Sequence, residues 1–99
     1  MERDWSAVLD LQLRAGEILE WHYERFRIVL TETVVLSSRT SYTPDFVVYL
    51  PDGAMEFHEI KGYRRDDAMV KLRVAVSQNP RHQFKLIERK RGSWVISEL

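Results

Sequence analysis

Cysteine is absent from the 99-residue chain, which excludes a disulfide framework, thiol catalysis and any cysteine-ligated zinc or iron–sulfur site. No apolar run is longer than Phe46 to Leu50, far short of the roughly 20 residues of a membrane-spanning helix. The opening Met1-Glu2-Arg3-Asp4 lacks a basic stretch leading into an apolar one, so no export signal is expected. The serines and threonines near Ser37 have no paired histidine and acid, which leaves nucleophilic catalysis without support. His22, His58 and His82 share no metal-ligand spacing. Repeats, low-complexity tracts and interdomain linkers are also missing. These absences predict a soluble protein of a reducing compartment, the cytoplasm.

What is present fits one small globular domain spanning residues 1–99. Apolar residues make up 44% and charged residues 30% of the chain, too apolar for disorder, and a second core would need roughly 50 more residues. The formal net charge is zero, but the sum hides a split. Residues 1–63 carry six basic against eleven acidic side chains, a balance of −5, and residues 64–91 carry nine against three, a balance of +6. A basic C-terminal part suggests a polyanionic partner; the plainer reading is a solvated surface that is basic on one side.

Apolar residues at Trp5, Val8, Leu9 and Leu13 predict a helix over Asp4 to Ala15, stopped by Gly16 and able to reach back to Glu2. Glu20 to Leu30 reads as a strand, clearest where Tyr23 to Val29 partly alternates. Thr31 to Thr40 reads as a connection in which Val34-Val35-Leu36 can form a short extra strand. Two strands follow, Thr43 to Leu50 and Ala54 to Lys61, joined by the turn Pro51-Asp52-Gly53. A helix capped by Asp66 or Asp67 runs to about Gln78, with Met69, Leu72 and Val76 on one face, and Asn79-Pro80 ends it. His82 to Glu88 and Trp94 to Ile96 are the last strands. The order αβββαββ predicts an α+β fold with a mixed sheet flanked by helices.

A hairpin turn centred on Asp52 pairs residues whose numbers sum to 104. Asp45 then faces Glu59, Val47 faces Phe57 and Tyr49 faces Met55, all on one surface because side chains alternate. That surface is apolar near the turn and ends in Asp45, Glu59 and Lys61. Two carboxylates and an ammonium continuing a buried stripe are costly unless paired with one another or bound to a metal. Hard oxygen ligands suit Mg²⁺ or Mn²⁺, and the plain alternative is a salt bridge of Lys61 with either acid.

Thr43-Pro44-Asp45-Phe46, the hairpin, and Glu56-Phe57-His58-Glu59-Ile60-Lys61-Gly62 together resemble the signature of the PD-(D/E)XK nuclease superfamily, most closely its small phage members related to Holliday-junction endonucleases. The resemblance runs from Glu2 through Arg14-Ala15-Gly16 to about Pro80. It implies a restriction-endonuclease-like αβββαβ core and a Mg²⁺-dependent endonuclease acting on DNA, with Mn²⁺ able to substitute. It also implies branched or junction DNA as substrate, a homodimer as the working unit and, for a phage-encoded chain, the host cytoplasm as location. Asp45 and Glu59 correspond to metal ligands, with the carbonyl of Ile60 as a further oxygen and Lys61 orienting water or steadying phosphate charge. Glu2 corresponds to the acid of the first helix; Glu17 and Glu20 are the substitutes if that helix begins later.

Arg64, Arg65, Lys71, Arg73 and Lys85 are the candidate phosphate contacts, with Arg89, Lys90 and Arg91 adding to the basic footprint. Lys71 stands closest to the site, at a position where such nucleases carry a base. His58 points away from Glu59 and reads as a satisfied structural or surface imidazole. Trp5, Trp21 and Trp94 could stack on bases, but their pattern favours packing. The alternative to catalysis is a nucleic-acid-binding module with a structural acidic cluster; a third reading is an interaction protein in which the motif is a coincidental ion pair.

Overall fold

The computed structural model describes residues 2–31, 40–61 and 66–99, with the backbone alone described for 66–68. The expected extra strand at Val34-Val35-Leu36 and the candidate contacts Arg64 and Arg65 lie outside the described residues. Two helices, α1 (Glu2–Arg14) and α2 (Asp66–Gln78), accompany seven strands: β1 (Glu20–Tyr23), β2 (Ile28–Leu30), β3 (Thr40–Tyr42), β4 (Phe46–Tyr49), β5 (Met55–Ile60), β6 (Gln83–Lys90) and β7 (Ser93–Glu98).

Five strands form a mixed sheet in the order β1-β4-β5-β6-β7, in which β5 and β6 run parallel and the other neighbours antiparallel. Helix α2 lies in the connection between the parallel pair, a crossover of the kind that parallel strands require. Read through this sheet alone, the element order is αβββαββ, as expected. The hairpin register is also as expected: Val47 faces Phe57 and Tyr49 faces Met55. The turn that fixes it uses Gly53 at φ 91°, and Asp52 Oδ1 accepts from the Ala54 N–H at 2.9 Å, an Asx-type closure.

The structure corrects the reading of residues 20–30 and 43–50 as single strands. The first breaks at Glu24, which adopts a left-handed φ of 48°, so that β1 joins the large sheet and β2 pairs with β3 in a separate two-stranded one. The second starts late because Pro44, buried and without an N–H, cannot join a ladder. A corner forms between β3 and β4, and Asp45 sits on it.

The sheet has two covered faces. On one, α1 lays Trp5 and Leu9 over Phe46, Val48, Ile60 and Ile87. On the other, α2 and the β2–β3 ribbon bury Leu72, Ala75, Ile28, Leu30 and Tyr42 against Val47, Phe57, Phe84 and Leu86. Helix α1 ends where expected. Gly16 takes φ 77°, and the amides of Ala15, Gly16 and Glu17 turn back to the carbonyls of Leu11, Leu13 and Gln12, satisfying the last turn.

A polar chain crosses the α1 face. The Trp5 indole N–H donates to His58 Nδ1 at 3.1 Å, so the neutral imidazole carries its proton on Nε2, which lies 3.0 Å from Glu56 Oε1. Lys85 Nζ closes the chain 2.9 Å from Glu56 Oε2. His58 is thus a buried, satisfied residue, 4% exposed. The His58 hydrogen bond, with the Lys85 ammonium, holds the Glu56 carboxyl down at about 2 against the opposing effect of burial. A depressed folded-state value stabilises the protein above the unfolded value, near 4.5, and that stability is lost as pH falls towards 2. Denaturant unfolding between pH 5 and pH 2 is expected to show a loss on the order of 3 kcal/mol from this group. Glu56→Gln is expected to remove that part of the slope while lowering stability at neutral pH; an unchanged slope in the variant would contradict the assignment.

Candidate metal centre

The motif residues sit where four elements end together. Tyr23 lies across from Phe46, and Phe46 across from His58, so the end of β1, the start of β4 and the end of β5 share one edge of the sheet. The N-terminal turn of α1 reaches the same edge. There Glu2, Glu24 and Asp45 each offer a carboxylate oxygen, and these three atoms lie within 4.8 Å of one another.

Each acid is positioned differently. Asp45 is buried at the corner before β4, where its Oδ2 accepts from the Ile60 N–H at 2.8 Å. That bond ties the corner to the Glu59-Ile60-Lys61 segment across the hairpin. Glu24 owes its place to the left-handed corner, and its own N–H donates to the Asp45 carbonyl at 2.9 Å. A non-glycine residue in that conformation costs on the order of 1 kcal/mol and persists because neighbouring bonds hold it. Glu2 comes from the first turn of α1, and its Oε2 accepts from the Tyr23 hydroxyl. The Glu2 carboxylate, with Glu24 close by, raises the Tyr23 phenol well above its ordinary range, so Tyr23 stays a donor throughout neutral pH.

Three carboxylates at this spacing repel, and the repulsion is strongest around the buried Asp45. Hard, anionic oxygens on an edge that remains partly open make a donor set suited to Mg²⁺ or Mn²⁺, and a dication turns the mutual repulsion into attraction. The residues present therefore fit such an ion.

The structure distributes the remaining candidates as follows. Glu2 and Asp45 come together, whereas Glu17 and Glu20 lie toward the other end of β1. Glu59 shares the α2 face with Phe57, as the alternation requires, but its Oε1 accepts from the Tyr42 hydroxyl and it is not in the three-acid group. Lys61 follows on the same side, half exposed, with Nζ 3.3 Å from Glu88 Oε2. Its partner is therefore Glu88, the residue after Ile87 in the parallel register, and not a motif acid. Lys71 is half-buried and Arg73 exposed on α2, while Lys85 lies on the opposite face of the sheet, held by Glu56. Among the described residues, the candidate phosphate contacts thus do not share one surface.

Glu24 is the site residue that sequence reasoning missed. Its signal was faint, because Glu24 lies inside the run from Glu20 to Leu30 that read as one strand. Tyr23 and Tyr42 were also missed as hydroxyl donors to carboxylates. Comparisons with family models, with curated proteins and with solved structures return no match.

Proposed function

We propose that the chain is a metal-dependent endonuclease that hydrolyses DNA phosphodiester bonds, selective for branched or junction DNA and working as a homodimer. The observation that carries this reading is the convergence of Glu2, Glu24 and Asp45 beside the Glu59-Ile60-Lys61 segment. Three separate stretches of the chain bring acids to one edge, and the motif strand fixes the buried one.

Glu2, Glu24 and Asp45 are the residues that would hold the ion in this reading, and Glu59, bonded to the Tyr42 hydroxyl, stands outside that set. A bound Mg²⁺, with Mn²⁺ as substitute, would supply neutralisation of charge at the scissile phosphate and would lower the pKa of the attacking water so that its nucleophilic, deprotonated form is available near neutral pH. Asp45 is oriented by the Ile60 amide, which donates to its Oδ2. The Tyr23 hydroxyl orients Glu2 in the same way. Lys61 steadies phosphate charge or orients the attacking water. Its pairing with Glu88 does not prevent this, since a half-exposed ion pair is worth at most about 1 kcal/mol and is readily exchanged for a phosphate.

The second reading is a nucleic-acid-binding module with a structural acidic cluster, favoured by the engagement of Glu59 with Tyr42 and of Lys61 with Glu88. Incubation of the purified protein with supercoiled plasmid and with synthetic four-way junctions separates the two. Nicked or resolved product is expected in Mg²⁺ or Mn²⁺ and none in EDTA. Salt-sensitive binding without any cleavage in either metal would replace the first reading with the second.

A further inference from the structure

Beside the acidic cluster a cleft of about 430 Å³ opens between the first turn of α1 and the edge strand β1, lined by Glu2, Arg3, Ser6, Trp21, Tyr23 and Phe46. Its size falls within the range of clefts that take small ligands. Trp21 and Tyr23 project from the same side of β1, two residues apart, and both rings lean on Phe46, with centroids 5.7 and 5.2 Å away. Phe46 is buried and forms a floor under two partly exposed aromatic faces. The Trp21 indole N–H donates to Asp10 at 3.1 Å, which holds that ring against α1. At the cleft mouth the Arg3 side chain is exposed and forms no ion pair among the described residues.

Aromatic faces and a guanidinium match the parts of one nucleotide, a base to stack and a phosphate to pair, and a dication held by the adjacent acids would take the neighbouring phosphate. We infer that this cleft is a nucleotide subsite, in which an unpaired base of a single-stranded segment stacks on Trp21 and Tyr23 while its phosphate pairs with Arg3. The inference deepens the nuclease reading and rests on it for the direction of the strand, which runs from the cleft toward Glu2 and Asp45. It also supplies a physical basis for preferring branched DNA. A duplex keeps its bases stacked inside, whereas a branch point or flap offers one already unpaired, which removes the unstacking cost.

The test is fluorescence anisotropy of a labelled oligothymidylate in Ca²⁺, at two salt concentrations, with tryptophan emission followed in parallel. Arg3→Ala is expected to weaken binding and reduce the salt slope by about 0.7. Tyr23→Leu is expected to weaken binding about fivefold or more, while Tyr23→Phe, which keeps the ring and loses the hydroxyl bonded to Glu2, restores it. Oligothymidylate should quench the wild-type emission, and Trp21→Phe should abolish the quench. The inference is overturned if the oligonucleotide does not bind, if Arg3→Ala and Tyr23→Leu bind as the wild type does, or if the quench survives in Trp21→Phe. Cleavage in Mg²⁺, assayed separately, distinguishes the two proposals. Binding through the cleft without cleavage refutes the nuclease reading and retains the subsite; cleavage unaffected by these substitutions does the reverse.

Discussion

Asp45→Asn is expected to lower Mg²⁺-dependent cleavage by about 10²- to 10⁴-fold, which corresponds to the several kcal/mol a metal contributes at a reacting phosphate. Asn is nearly isosteric with Asp, and its side-chain oxygen can still accept from the Ile60 N–H, so the corner between β3 and β4 keeps its anchor. What the variant loses is a buried negative charge. The melting temperature is therefore expected to stay within about 5 °C of the wild type, or to rise as repulsion from Glu2 and Glu24 is relieved. Parallel measurement of cleavage rate and thermal unfolding separates chemistry from folding. Unimpaired cleavage in a folded Asp45→Asn protein would remove the proposed mechanism.

The largest effect on stability is expected at Trp5, 2% exposed and central to the α1 side of the core. Its ring meets Trp94 edge-on at 5.0 Å and His58 at 5.8 Å. Trp5→Ala removes that packing and leaves His58 Nδ1 buried without its donor, a combined loss of about 3–5 kcal/mol. For a domain of this size that lowers the melting temperature by about 15–30 °C. Trp5→Phe keeps most of the volume and loses the donor, and is expected to cost about 1–3 kcal/mol. Because Glu2 lies three residues earlier on the same helix, loosening α1 also displaces one of the three clustered acids. Cleavage by Trp5→Ala, measured well below its melting temperature, is thus expected to fall with Mg²⁺ affinity. Wild-type stability in Trp5→Ala would show that α1 is not anchored as described.

The hairpin was legible because its information is local. Pro51-Asp52-Gly53 specifies a turn, alternation specifies the faces, and together they fix the register down to Val47 opposite Phe57. Helix limits were legible for similar reasons, since Gly16 and Asn79-Pro80 mark ends through backbone conformation. The two corners were not. Glu24 takes a left-handed φ that glutamate does not favour, and its bond to the Asp45 carbonyl, 21 positions away, helps to hold it there. Pro44 did carry a warning in its missing N–H, and the run from Thr43 to Leu50 hid it.

The candidate site divides the same way. The register places Asp45 and Glu59 just beyond the last paired residues, Phe46 and His58, and alternation places Lys61 on the side of Glu59, but the expected pairing of the two acids does not bring Glu59 into the cluster. Which partner each takes depends on chain segments distant in sequence: Tyr42 for Glu59, Glu88 for Lys61 and Glu56 for Lys85. Such pairings are set by parallel strand addition and helix docking, which leave no periodic trace. The charge split between the two parts of the chain likewise gave the number of basic residues, and not the faces on which they lie.

The most direct test is a crystal structure of the protein with Mn²⁺, with anomalous difference density recorded near the manganese edge. The account predicts a single strong peak bonded to the Asp45 carboxylate, with Glu2 or Glu24 completing the protein ligands. Density absent from this edge at saturating Mn²⁺, or a peak held elsewhere on the chain, would contradict it.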